Sequence, residues 1–539
     1  MGLRRSLLAS ILLAAVFVPA VKVTVAAASS TQESIMMDDD LLLYRGDHKR
    51  AQALTRMKQI GVDSVRVTVL WRYVAQGANL SNAEIKRLKS ASAKAAARKQ
   101  RAQFKPANPR TYPRRNWDKY DNLVKEAARL RMRVFFTVTG PGPTFGHRTA
   151  PPSQRANFFS FKPYPTRFRE FVKAVGTRYS GTYRDENALK QPLPRVSLWS
   201  IWNEPNQPGW LSPQWEKRDG QIIPSSPGLY RALLREGIDA LTATGHGGDT
   251  IMLGEMAPIG SNSRGPRNPI RPTPFLRELV CVNPAGVRYV GADATRRGCD
   301  FATKGPLKVT AFAHHAYTKK LAPTAPVGNP DDLTIANLGI WGPLLDNLAR
   351  QSGAIPSGLP IYITEFGYES NPPDPLNGIP QLLQAQYNQL GDFLAFSNPR
   401  VRGITQFLLR DAAPLRRYKK NSRNYWFTYQ SGIFTSKDKT KPATFAYLLP
   451  FVARAQPGNK VLLWGQLRFR PNDSNDIAVT QSRPNASAAW SNLGDPVPTS
   501  VLGYFSKVVP SQGPTAEYRA VYVTPGTNRI FASSLSAKP

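Results

Sequence analysis

Cysteine and histidine are scarce in this 539-residue chain, which carries two Cys and five His. The histidines fall in no spaced ligand pattern and no Asp-rich calcium loop occurs, so neither a catalytic metal nor any other cofactor is expected. A Gly-x-Ser-x-Gly elbow is absent, which argues against a serine hydrolase of that design. No Gly-rich phosphate loop follows an early strand-like run, which argues against an open dinucleotide-binding sheet. Acidic residues are few, 36 against 72 Lys and Arg, for a formal net charge of +36. Such a charge favours acidic partners such as acidic polysaccharide, teichoic acid or nucleic acid. The alternative is a solvated basic surface, and it is preferred because the basic residues are spread along the chain. The one dense block, 86–101 (KRLKSASAKAAARKQR), has the composition of an exposed helix and no nucleic-acid motif beside it.

Long apolar runs are also lacking after the first residues. The chain opens Met-Gly-Leu-Arg-Arg, continues apolar from Leu7 to Ala20, and reaches Ala26, Ala27 and Ala28. A basic start, an apolar stretch and small residues are expected to form a cleaved signal peptide over residues 1–28. The alternative is an uncleaved anchor, but Pro19 and Lys22 interrupt the run before the roughly 20 apolar residues a span requires. The expected location is therefore extracellular, secreted or associated with a cell wall. Export permits a disulfide between Cys281 and Cys299, with two buried thiols as the alternative.

Beyond residue 30, short β-like runs alternate with amphipathic stretches. Strands are predicted at Ser34–Met37, Ser64–Leu70, Arg133–Val138, Val196–Ile201, Thr250–Leu253, Lys308–Ala313, Pro360–Thr364 and Val401–Leu408. Helical sequence follows each, including His48–Ile60, Trp117–Leu130, Asp332–Ser352, Ile379–Phe396 and a closing helix at Ala443–Ala453. Eight such units predict an α/β fold, a (β/α)8 TIM barrel over 31–455. Residues 79–115 read as an insert. From residue 456 short strand-like runs separated by Pro, Asn and Gly predict a small β-sandwich over 456–539, which either buttresses the barrel, the preferred reading, or binds carbohydrate.

Chemistry concentrates at two predicted strand ends. The run Leu198-Trp-Ser-Ile-Trp-Asn-Glu-Pro-Asn206 carries an apolar strand straight into Asn203, Glu204 and Pro205. In a barrel, side chains at the C-terminal ends of strands line the active site. The two nearby tryptophans predict a partly apolar setting that keeps Glu204 protonated as a general acid. The run Ile361-Tyr-Ile-Thr-Glu-Phe-Gly367 ends in the same way at Glu365, three strands later. Strands four and seven lie across an eight-strand barrel, so the two carboxyls are expected to converge over its mouth. Opposed carboxyls, one neutral and one charged, are the groups that cleave glycosidic bonds. Either Glu alone reads as a helix cap or loop residue; the pair does not.

Trp202-Asn203-Glu204-Pro205 and Thr364-Glu365-Phe366-Gly367 resemble the acid/base and nucleophile motifs of clan A retaining glycoside hydrolases, families 5 and 39 foremost, the cellulase-type TIM barrels. The resemblance covers the barrel. It implies a double displacement on a poly- or oligosaccharide, with Glu365 as nucleophile and Glu204 as acid and then base. It also implies that Arg66 steadies Glu365, unless it is an ordinary barrel-end ion pair. Asn203 would bond a sugar hydroxyl, and Tyr317 would donate to Glu365. His315, in Ala313-His-His-Ala-Tyr317, would face the site, with His314 as its rival. Clan members often carry a Trp at the end of strand eight; here Gln406-Phe-Leu-Leu-Arg-Asp411 has none, and Trp426 in the next loop is the candidate substitute. Trp71, His147, Glu255 and Asp411 either line the cleft or are packing and loop residues. A monomer with a carbohydrate substrate is expected. A barrel that only holds an acidic cell-wall polysaccharide, and a transglycosylase, are the alternatives.

Overall fold

The computed structural model of the protein describes residues 29, 31–187, 191–470, 476–524, 526–527 and 529–539; the expected signal segment, 1–28, lies outside them. Eight parallel strands close a barrel in which neighbours in sequence are neighbours in space. They are β1 (Glu33–Met37), β2 (Ser64–Leu70), β3 (Arg133–Thr139), β4 (Leu198–Ile201), β5 (Thr250–Met256), β6 (Ala311–His315), β7 (Ile361–Phe366) and β8 (Val401–Phe407). Closure is made by β1 against β8, in register from Glu33 opposite Gly403 to Met37 opposite Phe407.

The strands are written for two different faces. In β2, Val65, Val67 and Val69 join the main core shared with the surrounding helices, while Arg66 and Thr68 take the alternate positions. Inside the barrel, Ile35, Phe135, Leu198, Met252, Ala311, Ala313 and Tyr362 form a separate apolar cluster. One alternation further along, the corresponding positions are polar, as in Thr137 opposite Ser200. The barrel is thus plugged by apolar side chains and polar above them, which readies its C-terminal end for buried charge.

Several expected elements have other bounds: the fifth strand runs on to Met256, the sixth lies at Ala311–His315 rather than Lys308–Ala313, and two helices differ more. The predicted helix Asp332–Ser352 begins as a 3-10 turn, Ile335–Ile340, and becomes α-helical only at Trp341–Ser352. Thr334 caps that turn through the Ala336 amide. The closing helix stops at Leu448 and a strand, Phe451–Gln456, follows. Pro450 disfavours a helical Leu449 and the chain extends there. Most of the basic block, 91–101, lies in an exposed helix, Ala91–Gln103, with no buried residue, while Lys86 ends a separate short helix, Asn82–Lys86. Cys281 and Cys299 are joined as a disulfide.

The C-terminal residues form antiparallel sheets. One pairs Phe451–Gln456, Lys460–Gln466 and Tyr504–Pro510; another is built on Ile477–Arg483, Glu517–Val523 and Ile530–Ser533. Trp464 and Tyr504 pack with Phe393 of the helix Gln381–Phe396, so the sheets share a core with the barrel. Among the described residues no helix is long and apolar enough to cross a membrane.

Candidate active site

At the end of β4 the backbone turns sharply. Trp202 and Glu204 take positive φ values of 70° and 39°, which an L-residue adopts only under constraint. Three backbone donors supply that constraint: Trp202 N–H to Val138 O at 2.9 Å, Asn203 N–H to Thr139 Oγ1 at 3.0 Å, and Glu204 N–H to Glu255 O at 2.8 Å. The β5 strand carries a matching irregularity. Gly254 has φ 117°, where a Cβ would lie 2.1 Å from Ala313 O, and Glu255 follows at φ 53°. This bulge aims the Glu255 side chain at the polar layer inside the barrel.

Glu255 is fully buried and accepts from five groups. These are Arg66 Nη2 at 3.2 Å, His315 Nε2 at 3.0 Å, Thr364 Oγ1 at 2.5 Å, Ser200 Oγ at 2.5 Å and Thr137 Oγ1 at 3.3 Å. Burial works against its charge, but Arg66, His315 and Ser200 outweigh burial and hold its carboxyl down at about 2. Glu255 is therefore a fixed anion beneath the site. Sequence left it between cleft lining and packing; it is neither, since it organises the two cations above it.

Those cations reach the two carboxyls at the mouth. Arg66 donates to Glu365 Oε1 at 2.9 Å and to Asn203 Oδ1 at 3.1 Å. With its oxygen so engaged, the Asn203 amide group points away from Arg66. Tyr317 OH donates to the other Glu365 oxygen, Oε2, at 3.1 Å. His315 Nδ1 meets Glu204 Oε1 at 3.0 Å. Burial disfavours a charged His315, yet Glu365, Glu204 and Glu255 overcome it and push the imidazole up to about 10. One oxygen each of Glu204 and Glu365 and a ring nitrogen of His315 all lie within 4.8 Å of one another. Three such groups can hold a metal ion; here the two His315 nitrogens are engaged with the carboxyl groups of Glu204 and Glu255.

The alternation of β6 decides between the histidines. His315 faces the barrel interior; His314 faces the helices, where Nε2 bonds Leu333 O at 2.8 Å and the ring meets Trp341. Burial drives His314 down to about 3, so it is neutral.

Glu204 and Glu365 open on a cleft of about 860 Å³ lined also by Tyr317, Phe407 and Trp426. Trp426 is buried along most of its surface and its indole N–H bonds Lys420 O at 2.9 Å, so the ring is held as a wall. Trp71 is corrected: it is fully buried, stacks on Phe171 at 5.8 Å and lies under Gly142 and Gly146, outside the cleft. The chain enters a short helix at Trp71, which turns its ring away from the mouth. The tryptophans before Glu204 also face elsewhere, Trp199 against Phe136 and His246 and Trp202 against Phe168. The group facing Glu204 is thus His315, not an apolar wall of indoles. His147 packs on Phe158 and Phe159, and Asp411 pairs with Lys441 at 2.9 Å; both are packing residues.

Sequence reasoning missed the cleft's outer wall. Phe427 and Tyr429 line it while remaining 78% and 57% exposed. The signal was present as Tyr425-Trp-Phe-Thr-Tyr429, four aromatics in five loop residues. Glu369, also in the wall, is raised to about 7 by burial and by Asp374 and Asp411 nearby.

No protein-family model and no curated protein sequence matches the chain. Solved structures do, at low identity. A family 39 glycoside hydrolase from Bacteroides cellulosilyticus WH2 aligns over 93% of this chain and 82% of its own, with 12% identity and a TM-score of 0.47. A glucosidase from Croceicoccus marinus aligns over 87% and 92%, with 9% identity and a TM-score of 0.44. The GH5_18 protein from Streptomyces cattleya, solved with GlcNAc, aligns over 78% and 79%, with 15% identity and a TM-score of 0.43.

Proposed function

We propose that this protein is an exported retaining glycoside hydrolase in which Glu365 is the nucleophile and Glu204 the acid/base. The observation that carries the reading is the approach of the two carboxyls, oxygen to oxygen within 4.8 Å. Retaining enzymes hold their carboxyls about 5–5.5 Å apart, whereas inverting ones leave roughly 6.5–9.5 Å for a water. Each Glu365 oxygen has its own donor, Arg66 or Tyr317, which fixes the carboxylate's orientation for attack. Glu365 adds to the anomeric carbon as the glycosidic C–O bond breaks, and Glu204 gives its proton to the departing oxygen. A water then adds to the same carbon, Glu204 takes the water's proton, and the Glu365 ester is released. His315 Nδ1 lies one hydrogen bond from Glu204 and holds its carboxyl in position between the two steps. Asn203, its carbonyl held by Arg66, offers its amide to a sugar hydroxyl.

Export rests on the basic, apolar and small-residue order of residues 1–28. The N-terminus of protein recovered from culture medium is expected to lie past that segment.

The test uses activated aryl glycosides. Glu365→Gln is expected to lose at least about 10³-fold in kcat. Glu204→Ala is expected to regain turnover when azide is supplied, and proton NMR of the first product should show the anomer of the substrate. Undiminished turnover by Glu365→Gln, or an inverted first product, rejects this reading.

A further inference from the structure

A second pocket opens on the same end of the barrel as the cleft, over the ends of β1 and β2. It encloses about 410 Å³ between Tyr44, Tyr73, Gln76, Arg115, Asn116 and Lys119. Tyr44 follows β1, Tyr73 follows β2, and the other side comes from the start of the helix Arg115–Arg129. None of these residues lines the cleft that holds Glu204 and Glu365.

The two tyrosines are 43% and 46% exposed and meet edge to face, with centroids 6.2 Å apart at 83°. They form an open aromatic corner. Lys119 sits at its base, its Nζ 4.5 Å from the Tyr44 centroid, 5.5 Å from that of Tyr73 and 5.2 Å from that of Tyr120. Three rings attract the ammonium, yet among the described residues it makes no ion pair. Burial lowers its affinity for a proton, and the nearby Asp39 compensates only in part. Asp39 itself is committed to the Thr68 backbone N–H and hydroxyl. Arg115 is exposed at the rim. The corner therefore lacks one negative charge and carries uncovered ring surface.

We propose that this corner is an accessory binding site for an acidic sugar unit, a uronate within a glycan chain. A pyranose lays its C–H face on a tyrosine ring, and its carboxylate takes the Lys119 ammonium with Arg115 at the rim. The choice of a sugar over another planar anion rests on the reading of the neighbouring cleft. Asp39, which follows β1 and is held by Thr68 of β2, lies between the strand that carries Arg66 and the turn that carries Tyr44. A glycan lying across the barrel mouth would touch both.

Binding is measured by calorimetry in the full chain carrying Glu365→Gln, at a salt concentration of about 0.15 M, where long-range attraction to a basic surface is screened. The probes are a galacturonate tetramer, its carboxyl-reduced neutral counterpart and a single-stranded oligonucleotide. The tetramer is expected to bind more tightly than the neutral chain. Adding Lys119→Met should weaken tetramer binding at least tenfold and leave the neutral chain unaffected, while Lys119→Arg retains most of the affinity. Tyr44→Ala with Tyr73→Ala should weaken both sugars. In the otherwise native chain, Lys119→Met should turn over a small aryl glycoside as before. Tetramer binding that is indifferent to Lys119→Met overturns the proposal, as does a Lys119-dependent oligonucleotide that binds where the tetramer does not. Retained turnover by Glu365→Gln would reject the hydrolase reading and leave the binding result standing.

Discussion

Arg66 has no exposed surface and stands between Glu255 at 3.2 Å and Glu365 at 2.9 Å. Removing one partner from a buried charge network leaves the others uncompensated, which typically costs about 3–5 kcal/mol. Arg66→Met is expected to lower the unfolding free energy by about that amount in urea, and to lower kcat through a loosened Glu365. His315 adds a pH dependence of known sign. Its folded pKa, about 10, lies above the ordinary 6.5, so the folded state binds the proton more tightly. The stability this contributes is complete below about pH 6.5 and is lost as pH rises through about 10. Glu255, held at about 2, has the opposite sign: its contribution is present above about pH 4.5 and is lost as pH falls through about 2. Denaturant midpoints should therefore fall between pH 7 and 10, and His315→Gln should flatten that fall. At this scale the strand-end pattern pointed to Glu204 and Glu365, and the resemblance of their motifs pointed to Arg66 and Tyr317. Trp71 stood between cleft lining and packing because a residue just past a strand can turn into a helix as easily as toward the mouth, and here it turns into the helix. Glu255 was undervalued because its partners come from β2, β3, β4, β6 and β7, and no local pattern shows that convergence.

Elements were legible wherever their cause is local. All eight barrel strands overlap the β-branched and apolar runs that predict them, the sixth shifted to Ala311–His315, and Pro450 explains the closing helix that was drawn too long. The disulfide segment is a clear case of an element held from outside. Buried Arg231 donates to the carbonyls of Leu279 at 2.8 Å, Glu278 at 2.8 Å and Gly298 at 2.6 Å, clamping both ends of the loop that Cys281–Cys299 closes. Closing a loop of 18 residues is worth about 3 kcal/mol in the chain-entropy model. Changing both cysteines to serine should lower the unfolding free energy by about that much. None of the loop's residues lines the cleft, so kcat should not change. Guanidinium titration and aryl-glycoside kinetics on the same variant check both halves.

For the whole molecule, the C-terminal sheets are joined to the barrel by packing rather than by a linker. Trp464 meets Phe393 and Phe396 with centroids 5.3 Å from each, and Tyr504 meets Phe396 at 4.6 Å. Arg468 pairs with Asp392 at 3.2 Å, and Tyr504 OH donates to Gln32 O at 3.1 Å beside the first barrel strand. These contacts favour the buttressing role over a freely tethered binding module. Thermal unfolding should show one calorimetric transition, and Trp464→Ala should cost about 3–5 kcal/mol. Two separated transitions would mean that the sheets fold and melt on their own.

Sequence by itself determined the barrel, its eight strands and the two strand-end glutamates, because period, composition and punctuation act over a few residues. It also carried the two motifs that named a chemistry. Only the tertiary structure decided that His315 rather than His314 faces the site, that Glu255 anchors both cations, that Trp71 is buried, and that aromatics distant in sequence from either glutamate wall the cleft. Those outcomes depend on barrel closure and strand register, where a shift of one residue reverses which side chains look inward. Such long-range geometry is set by the whole chain at once.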